Sequence, residues 1–310
     1  MNIYRQTRHL SLFLALTLWS VLGLAATPLI GVSIAEFDDN FRNLIRQHIQ
    51  EYGQQLDVDL VIENASSDPE LQLRQVRNYI RTKVDAIIVL PVTTKDGLAA
   101  LKLADEAGIP IVFANANPGP DHWPSKSAYI GSKEADAGTL EMEQLAKLAG
   151  NRGKVVILEG EQGHSAAIGR TDAVKAIVQK YPEMQIVKQA SGNWQSSEAA
   201  NLILQWLKEG VDFNIIAANN DSMAIGAVLG LEKAGKDAKP YFIGGVDGTK
   251  EALQSMAEGK LDTSVLQDAR GQARKSVDVA LQLIRGEPVG GTEYWIPFQL
   301  ITPDNLSLYQ

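Results

Sequence analysis

The sequence predicts an α/β protein in which two doubly wound parallel-sheet lobes are joined by a three-segment hinge. Short runs rich in Val, Ile and Leu alternate with longer segments of helical period, and this alternation occurs twice along the chain. Strands that are apolar along their whole length and separated by helices are typical of a parallel sheet covered on both faces. A chain of 310 residues is long enough for two such units, each with its own core.

The first round of the alternation predicts strands and helices in strict succession. The predicted strands are LIGVSI (29–34), DLVIEN (59–64), DAIIVLP (85–91) and IPIVFAN (109–115), and the predicted helices cover 40–53, 69–83 and 95–107. Apolar residues of the first helix recur at intervals of three and four, which places one apolar stripe against the sheet. This stripe consists of Phe41, Leu44, Ile45, Ile49 and Tyr52.

The second round repeats the pattern. The predicted strands are KVVILEG (154–160), MQIVKQ (184–189), FNIIAAN (213–219), YFIGGVD (241–247), LDTSVLQ (261–267) and WIPFQL (295–300). The predicted helices cover 165–180, 197–208, 222–234, 249–258 and 271–285. The repeated succession predicts a second sheet of the same kind as the first.

The N-terminus has the features of a secretory signal peptide. Arg5 and Arg8 precede an uncharged apolar stretch, residues 10–26, that ends in small residues. We expect cleavage after Ala25 or Ala26. A retained membrane anchor is the rival interpretation, but no basic residue follows the apolar run to hold it in place, and the absence of Cys excludes a lipoprotein.

The chain is expected to pass between the two lobes three times, which makes the connection a hinge. It leaves the first lobe within residues 122–138 and crosses again near Gln267 and within 295–299. The predicted domains are the signal peptide 1–26, an N-terminal lobe of 27–128 plus 268–295, and a C-terminal lobe of 129–267 plus 296–310.

Composition and motifs exclude several classes of function. The net charge is −8, and acidic and basic residues are interspersed, so nucleic acid is not an expected partner. Without Cys there are no thiol nucleophiles or thiolate metal sites, and the four His residues include no pair at ligand spacing. No hydrolase, metalloprotease or nucleotide-binding motif is present, and the Gly-containing loop 158–167 carries two carboxylates that would repel a phosphate. We therefore predict a non-enzymatic protein without metal or cofactor.

Polar residues directly follow the predicted apolar strands. In open parallel sheets the ligand crevice lies outside the carboxyl ends of the strands. This rule selects residues 36–39, 115–117, 161–164 and 219–221, together with Asp247 and Gln267. The strand ends of both lobes are thus expected to form one binding crevice.

The residues at this crevice suit a polyhydroxylated ligand. They combine amides, carboxylates, one His and the nearby Arg170 with Phe37, Phe41 and Trp194 as flat apolar surfaces. Each hydroxyl of a buried polyol both donates and accepts, so it needs mixed partners, and planar Asn, Asp and Arg groups can bridge adjacent hydroxyls. The sequence therefore predicts a small polyol, with aromatic walls for its C–H faces.

Capping and turn roles compete with ligand contact at these positions, since Asn and Asp at strand ends often cap the next helix. For Asp221 and Thr249 the two roles remain equally open. Asn220 and Asp247 are favoured as ligand contacts because each closes an apolar strand on the crevice side. His164 alone is a weak signal, strengthened by its place before the helix that carries Arg170.

Several stretches resemble a known family. They are VDAIIVLPVTT, GIPIVFANANP, AANNDSMAIGA, FIGGVDGT and LDTSVLQDARGQA. The chain is similar to the type I periplasmic sugar-binding proteins of ABC importers, the ribose- and galactose-binding family, over nearly its whole length after residue 26. The resemblance implies a periplasmic, non-enzymatic monomer that binds a sugar or polyol by hinge closure and delivers it to an ABC permease in the membrane.

Within that family the chain looks most like the inositol- and rhizopine-type binding proteins, through IGVSIAEFDDNF, SGNWQSSEA and WIPFQLITPDN. This similarity implies myo-inositol or a related cyclitol as ligand. Carried over by position, the implied ligand-binding residues are Phe37, Asp38, Asp39, Phe41, Asn115, His164, Arg170, Trp194, Asn220, Asp247 and Gln267. Of these, His164 matches the His that galactose-type members use.

Two departures leave the ligand open. Ala116 and Ile168 stand where relatives often carry Arg, which predicts a less cationic pocket. A pentose, a hexose or a linear polyol therefore remains an alternative ligand. The same pocket would also serve a periplasmic sensor that presents its ligand to a receptor kinase or chemoreceptor, whereas a transcriptional repressor of this fold would begin with a basic helix-turn-helix that this chain lacks.

Overall fold

A computed structural model describes residues 26–309 of the chain. The predicted signal peptide, except for Ala26, lies outside these residues. The described part contains nine α-helices and two six-stranded sheets. Every helix between residues 26 and 309 is too short or too polar to span a lipid bilayer.

The first sheet is parallel throughout and is covered on both faces. Its elements are β1 (Leu29–Ile34), α1 (Asn40–Gln55), β2 (Asp59–Asn64), α2 (Pro69–Thr82), β3 (Ala86–Leu90), α3 (Thr94–Ala107), β4 (Ile111–Ala114), β5 (Ser127–Gly131), α9 (Ala269–Ile284) and β11 (Glu293–Trp295). The strand order is β11-β5-β4-β3-β1-β2. Helices α1 and α9 bury one face of the sheet and α2 and α3 the other, so this lobe is doubly wound.

The second sheet repeats this arrangement. Its elements are α4 (Glu134–Leu148), β6 (Arg152–Glu159), α5 (Ser165–Lys180), β7 (Glu183–Ser191), α6 (Ser196–Lys208), β8 (Ile215–Ala218), α7 (Asp221–Lys233), β9 (Phe242–Asp247), α8 (Lys250–Ala257), β10 (Thr263–Leu266) and β12 (Gln299–Ile301). The strand order is β12-β10-β9-β8-β6-β7, and only the edge strand β12 is antiparallel to its neighbour. The predicted fold class is confirmed.

Three short segments cross between the lobes. They are residues 132–133, 267–268 and 296–298. The expected lobe boundary after residue 128 falls inside β5, and the first sheet continues to Gly131. Strand β5 (SAYIG) lacks the bulky apolar run that marks the other strands, although all five of its residues are buried.

The segment WIPFQL is not the single strand that the sequence predicts. It contributes its first residue to β11 in the first sheet, crosses between the lobes at 296–298, and enters β12 in the second sheet. Pro297 lies in this crossing, and a Pro cannot donate a hydrogen bond to a sheet ladder. One apolar run therefore serves both lobes.

Helix α4, which follows the first crossing, is not among the predicted elements. Its interior Gly138 weakens the sequence signal, since Gly is a poor helix former. The structure shows why Gly is needed there: a Cβ atom would lie 2.2 Å from the carbonyl oxygen of Arg170 on α5. This close approach brings the two helices into contact beside the hinge.

Candidate functional site

A cavity lies between the lobes at the carboxyl ends of their strands. Residues from both lobes and from the second crossing form its wall. They are Asp39, Phe41, Arg42, Asn115, His164, Ala166, Arg170, Trp194, Asn220, Asp247 and Gln267. The structure thus brings most of the predicted ligand-binding residues together in one pocket.

Arg170 is the cation of the second-lobe wall, and only 2% of it is exposed. Its Nε donates to Glu134 Oε2 (2.8 Å), its Nη1 to the Asn219 carbonyl (2.7 Å) and its Nη2 to Gln267 Oε1 (3.0 Å). Asp247 Oδ1 lies 3.6 Å from Nη1. Burial acts to lower the pKa of Arg170, but the carboxylates of Glu134 and Asp247 outweigh it and raise the pKa, so the guanidinium stays charged.

Asp247 ends strand β9 in an unusual backbone conformation, with φ at 127°. A non-Gly residue in this region is strained and depends on its surroundings. Burial raises the pKa of the Asp247 carboxyl, against the opposing effect of Arg170. The negative charge of Asp247 is therefore compensated mainly by one buried cation, the guanidinium of Arg170.

Asp221 and Thr249 have structural roles in this lobe. Asp221 accepts hydrogen bonds from Ser264 Oγ (2.6 Å) and the Thr249 amide (2.8 Å), and it does not line the pocket. Burial raises the pKa of Asp221 to about 6, although these hydrogen bonds oppose the rise. Thr249 caps α8 by accepting from the Ala252 amide. Of the two open interpretations, the capping and turn role is the one that these contacts support.

His164 caps α5 and also faces the pocket. Its Nδ1 accepts from the Ala166 amide (3.2 Å), which assigns the proton of the neutral ring to Nε2. Burial, assisted by the charges of Arg42 and Arg170, holds the pKa of His164 well below its ordinary value. The ring is thus neutral, and its Nε2–H is a buried donor without a partner among the described residues.

Trp194 forms the aromatic wall. Its backbone has φ at 64°, and the ring lies against Gly160, where a Cβ atom would come within 2.1 Å of it. The His164 ring meets it edge-on at 5.4 Å. Asn220 caps α7 through the Met223 amide and donates from Nδ2 to the Trp194 carbonyl (3.3 Å), so it lines the pocket and also holds this wall.

The first lobe contributes the opposite wall. Asp39 caps α1 by accepting from the Arg42 amide (2.7 Å), and the buried Phe41 lines the same wall. Asn115 follows β4 with φ at 68°, and its carbonyl accepts from Tyr129 Oη (2.9 Å). The left-handed backbone of Asn115 turns the chain at the pocket edge, a conformation that Asn tolerates better than most residues.

Arg42 is a pocket residue that sequence reasoning missed. It is 5% exposed, and its Nη2 lies 3.7 Å from Glu161 Oε2 on the other lobe. It follows the capping residue Asp39 by three positions, a helical spacing that places it at the same end of α1. This spacing is the sequence signal from which the place of Arg42 in the pocket could have been predicted. With Arg42 in its wall, the pocket has two arginines, so it is more cationic than Ala116 and Ile168 suggest.

Four residues singled out in the sequence do not line this pocket. Phe37 is half-buried beneath Arg46 in a separate groove beside β2, and Asp38 is exposed. Ala116 is buried outside the pocket wall, and Ile168 is 53% exposed on the outer surface of α5. The two positions where relatives often carry Arg thus do not touch the cavity.

The lobes contact each other directly around the pocket. Besides the Arg42–Glu161 pair, the contacts are Asn40 Nδ2 to Ser222 Oγ (3.4 Å), Thr94 Oγ1 to the Gly163 carbonyl (3.4 Å), and the Asn117 amide to Ser165 Oγ (3.2 Å). The structure therefore shows the two walls facing each other in a closed arrangement.

The polar atoms of the pocket define what it can bind. Three buried donors on residues that line the pocket have no hydrogen-bond partner within residues 26–309: His164 Nε2, Trp194 Nε1 and Gln267 Nε2. Carboxylate acceptors come from both lobes, as Asp39 and Asp247. In the same part of the chain no three His, Asp or Glu side chains converge to hold a metal ion. The set of groups fits a neutral ligand with several hydroxyls.

Comparisons with known proteins agree with this geometry. Residues 30–288 match the family described as the periplasmic binding protein domain. A Rhizobium meliloti protein, provisionally named a rhizopine-binding protein, is 42% identical over 94% of this chain and 98% of its own length. A xylitol-binding protein of Mycolicibacterium smegmatis is 29% identical over 91% of this chain and 79% of its own length.

A solved structure is similar over the whole of both lobes. It is an ABC transporter solute-binding protein from Bacillus halodurans with bound myo-inositol, 38% identical to this chain, with a TM-score of 0.87. The similarity covers 93% of this chain and 98% of that one. The two-lobed fold is therefore shared in full.

Proposed function

Since the chain belongs to the family of periplasmic binding protein domains, we propose that it is the solute-binding protein of an ABC importer and that it captures a cyclic polyol between its lobes. The family that the sequence predicts is confirmed. Members of this family bind solutes and are not enzymes. Myo-inositol or a related cyclitol is the favoured ligand.

The observation that carries the proposal is the set of unpaired polar groups in the pocket. His164 Nε2, Trp194 Nε1 and Gln267 Nε2 are buried donors without partners in the described part of the chain, and the carboxylates of Asp39 and Asp247 line the same pocket. A buried donor left unpaired costs about 1–3 kcal/mol. Hydroxyl groups satisfy donors and carboxylates at once, because each hydroxyl accepts and donates.

A ring is favoured by the shape of the walls. Trp194 on the second lobe and Phe41 on the first present flat apolar surfaces on which the C–H faces of a ring can pack. The similar Bacillus halodurans protein holds myo-inositol, which supports a six-membered cyclitol. The xylitol-binding relative keeps a linear polyol as the second candidate.

Binding and closure are expected to be coupled. A ligand that contacts Arg170, Asp247 and Gln267 on one side and Asp39 and Asn115 on the other stabilises the arrangement in which both walls face the pocket. It therefore shifts the population toward the closed form. No bond of the ligand is made or broken in this process.

The cellular role follows from the same assignment. We propose that residues 1–26 direct secretion and are removed, and that the closed, loaded monomer docks on an ABC permease in the membrane. The N-terminal residue of the secreted protein, read by mass spectrometry, tests the first point. It is expected to be Ala26 or Thr27, and an intact Met1 on the exported protein would contradict cleavage.

The ligand is tested by isothermal titration of the purified protein with myo-inositol, other inositol isomers, xylitol, pentoses and hexoses. At a hundred times its dissociation constant the true ligand also adds about 2.7 kcal/mol to the free energy of unfolding. Asp247→Asn is expected to abolish binding. Asp212→Asn, which alters an exposed carboxylate paired with Lys154, is the matched control and leaves binding unchanged. Absence of heat with every polyol would refute the proposed ligand class.

A further inference from the structure

The guanidinium of Arg170 touches residues associated with all three crossing segments of the hinge. Glu134, at 2.8 Å, is the first residue of α4, directly after the first crossing. Gln267, at 3.0 Å, lies in the second crossing. Phe298 lies in the third, and its ring centroid is 5.7 Å from Arg170 Cζ. One side chain thus joins chain segments that lie far apart in the sequence.

The same guanidinium forms part of the pocket wall. An Arg side chain has five N–H groups, and Arg170 donates three of them to Glu134, Gln267 and the Asn219 carbonyl. Two N–H groups remain, one on each terminal nitrogen. Asp247 Oδ1 lies 3.6 Å from Nη1, so the remaining N–H of Nη2 is the one available to a ligand hydroxyl, while the three bonded groups hold the plane of the guanidinium.

Glu134 is the charged partner that fixes this plane. Its side chain is 9% exposed, and its buried Oε1 has no hydrogen-bond partner among residues 26–309, so the carboxylate is committed to Arg170. It does not line the pocket. A buried ion pair with this geometry depends on both partners, because removal of one leaves the other charge uncompensated.

We propose that Glu134 is a positioning residue that orients Arg170 and thereby couples ligand binding to the three crossing segments. The inference rests on the proposed function, because it assigns Arg170 to ligand contact. A ligand held by Arg170 also favours the hinge geometry in which Gln267 and Phe298 contact the same guanidinium. Glu134 acts on affinity and closure without touching the ligand.

The test uses Glu134→Gln, which keeps the shape of the side chain and an oxygen acceptor but removes the charge. Its matched control is Glu143→Gln, which alters another α4–α5 ion pair, Glu143 with Lys180 at 3.5 Å, that is about half exposed. Lys102→Cys and Lys208→Cys place spin labels on exposed helix positions of the two lobes, and no native Cys interferes. Titration with myo-inositol and the distance distribution between the labels are the measurements.

Glu134→Gln is expected to raise the dissociation constant for myo-inositol at least tenfold and to leave a broad interlobe distance distribution at saturating ligand. At saturating ligand, the interlobe distance distributions of the wild type and of Glu143→Gln are expected to narrow to one short distance. A lower melting temperature with unchanged affinity and unchanged distances would show a merely structural ion pair and would overturn the proposal.

Phe298→Leu provides a second variant, which removes the ring beside Arg170 but keeps an apolar side chain in the hinge. It is expected to weaken myo-inositol binding about threefold and to broaden the distances, and wild-type behaviour would count against the coupling. If the wild type binds no polyol, the proposed function fails. The ligand-free distance distributions then test the coupling separately, since identical distributions for wild type and Glu134→Gln would refute it.

Discussion

The two walls of the pocket are held in place in different ways. On the second lobe, Arg170, Asn220 and Asp247 are bonded or paired within that lobe or to the adjacent crossing. On the first lobe, Arg42 finds its ion-pair partner, Glu161, on the opposite lobe. We therefore expect the second-lobe wall to be formed before closure and part of the first-lobe wall to be completed by closure. Stability and binding should respond differently to changes on the two sides.

The largest effect is expected from Arg170→Met on the preformed wall. The substitution leaves Glu134 and Asp247 buried without their cation, which costs about 3–5 kcal/mol of unfolding free energy, and it abolishes polyol binding. Urea denaturation and calorimetry measure the two effects. Arg74→Met, which breaks the exposed pair with Asp68, serves as control and is expected to cost less than about 1 kcal/mol. Equal losses in both variants would contradict a buried network.

A second difference between the lobes is their expected response to pH. The second lobe buries Glu141, whose Oε1 accepts from the Ala218 amide and whose Oε2 has no partner among the described residues. Burial raises the pKa of Glu141 from 4.5 to about 8, although the Ala218 amide and Arg170 oppose the rise. The folded protein therefore keeps a proton that the unfolded chain loses between these two values.

The contribution of Glu141 to the free energy of unfolding is accordingly fully present below pH 4.5, and it decreases as the pH rises toward 8. The slope for one such group is at most about 1.4 kcal/mol per pH unit. Asp221, with its pKa raised to about 6, contributes in the same direction at lower pH. Urea denaturation at several pH values measures the slope. Glu141→Gln is expected to flatten it, whereas Glu143→Gln should not, and a slope unaffected by Glu141→Gln would refute this assignment.

On the wall completed by closure, Arg42→Met is expected to weaken ligand binding about tenfold, equivalent to about 1.4 kcal/mol. The free energy of unfolding of the ligand-free protein should change by less than about 1 kcal/mol, because the pair with Glu161 joins the two lobes and we expect it to be broken in an open form. A double-mutant cycle with Glu161→Gln isolates the interlobe term. Strictly additive effects on affinity would mean that the pair does not contribute to closure.

The smallest effect is expected at Tyr129, which supports Asn115 on the same wall. Tyr129→Phe removes the hydrogen bond to the Asn115 carbonyl and should reduce stability by about 1 kcal/mol, with a small loss of affinity. Tyr309→Phe, which removes the exposed contact with Gln299, provides the comparison in the same titration and denaturation experiments. A larger affinity loss than that of Arg42→Met would reverse the order of importance on this wall.

Most secondary-structure elements could be predicted because their signals are local. Strands β1 and β2 and helix α5 have the predicted bounds, since apolar runs and helical periods report burial along one segment. Strand β5 and helix α4 were missed because small residues, among them Gly138, serve close packing with other segments. The split of WIPFQL between two sheets also depends on partners that no local pattern contains.

The candidate site shows the same division. Asn115, Asp247 and Gln267 were predicted to lie together because the carboxyl ends of parallel strands meet at one edge. Phe37 and Asp38 follow the same rule in sequence, but the loop after β1 directs them away from the cavity. Arg42 lies in the first turn of α1 and lines the pocket from there, a position that strand-end reasoning does not consider.

The sequence by itself determined the fold class, the family and the strand ends that bear most of the pocket residues, because these depend on periodicity and on short motifs. Only the tertiary structure decided how Arg170 joins Glu134, Gln267 and Phe298, and which donors in the pocket stay unpaired. The physical reason is that hydrogen-bond satisfaction is a property of atoms brought together from distant segments. Hydrophobic periodicity records burial but contains no information about which polar partners meet.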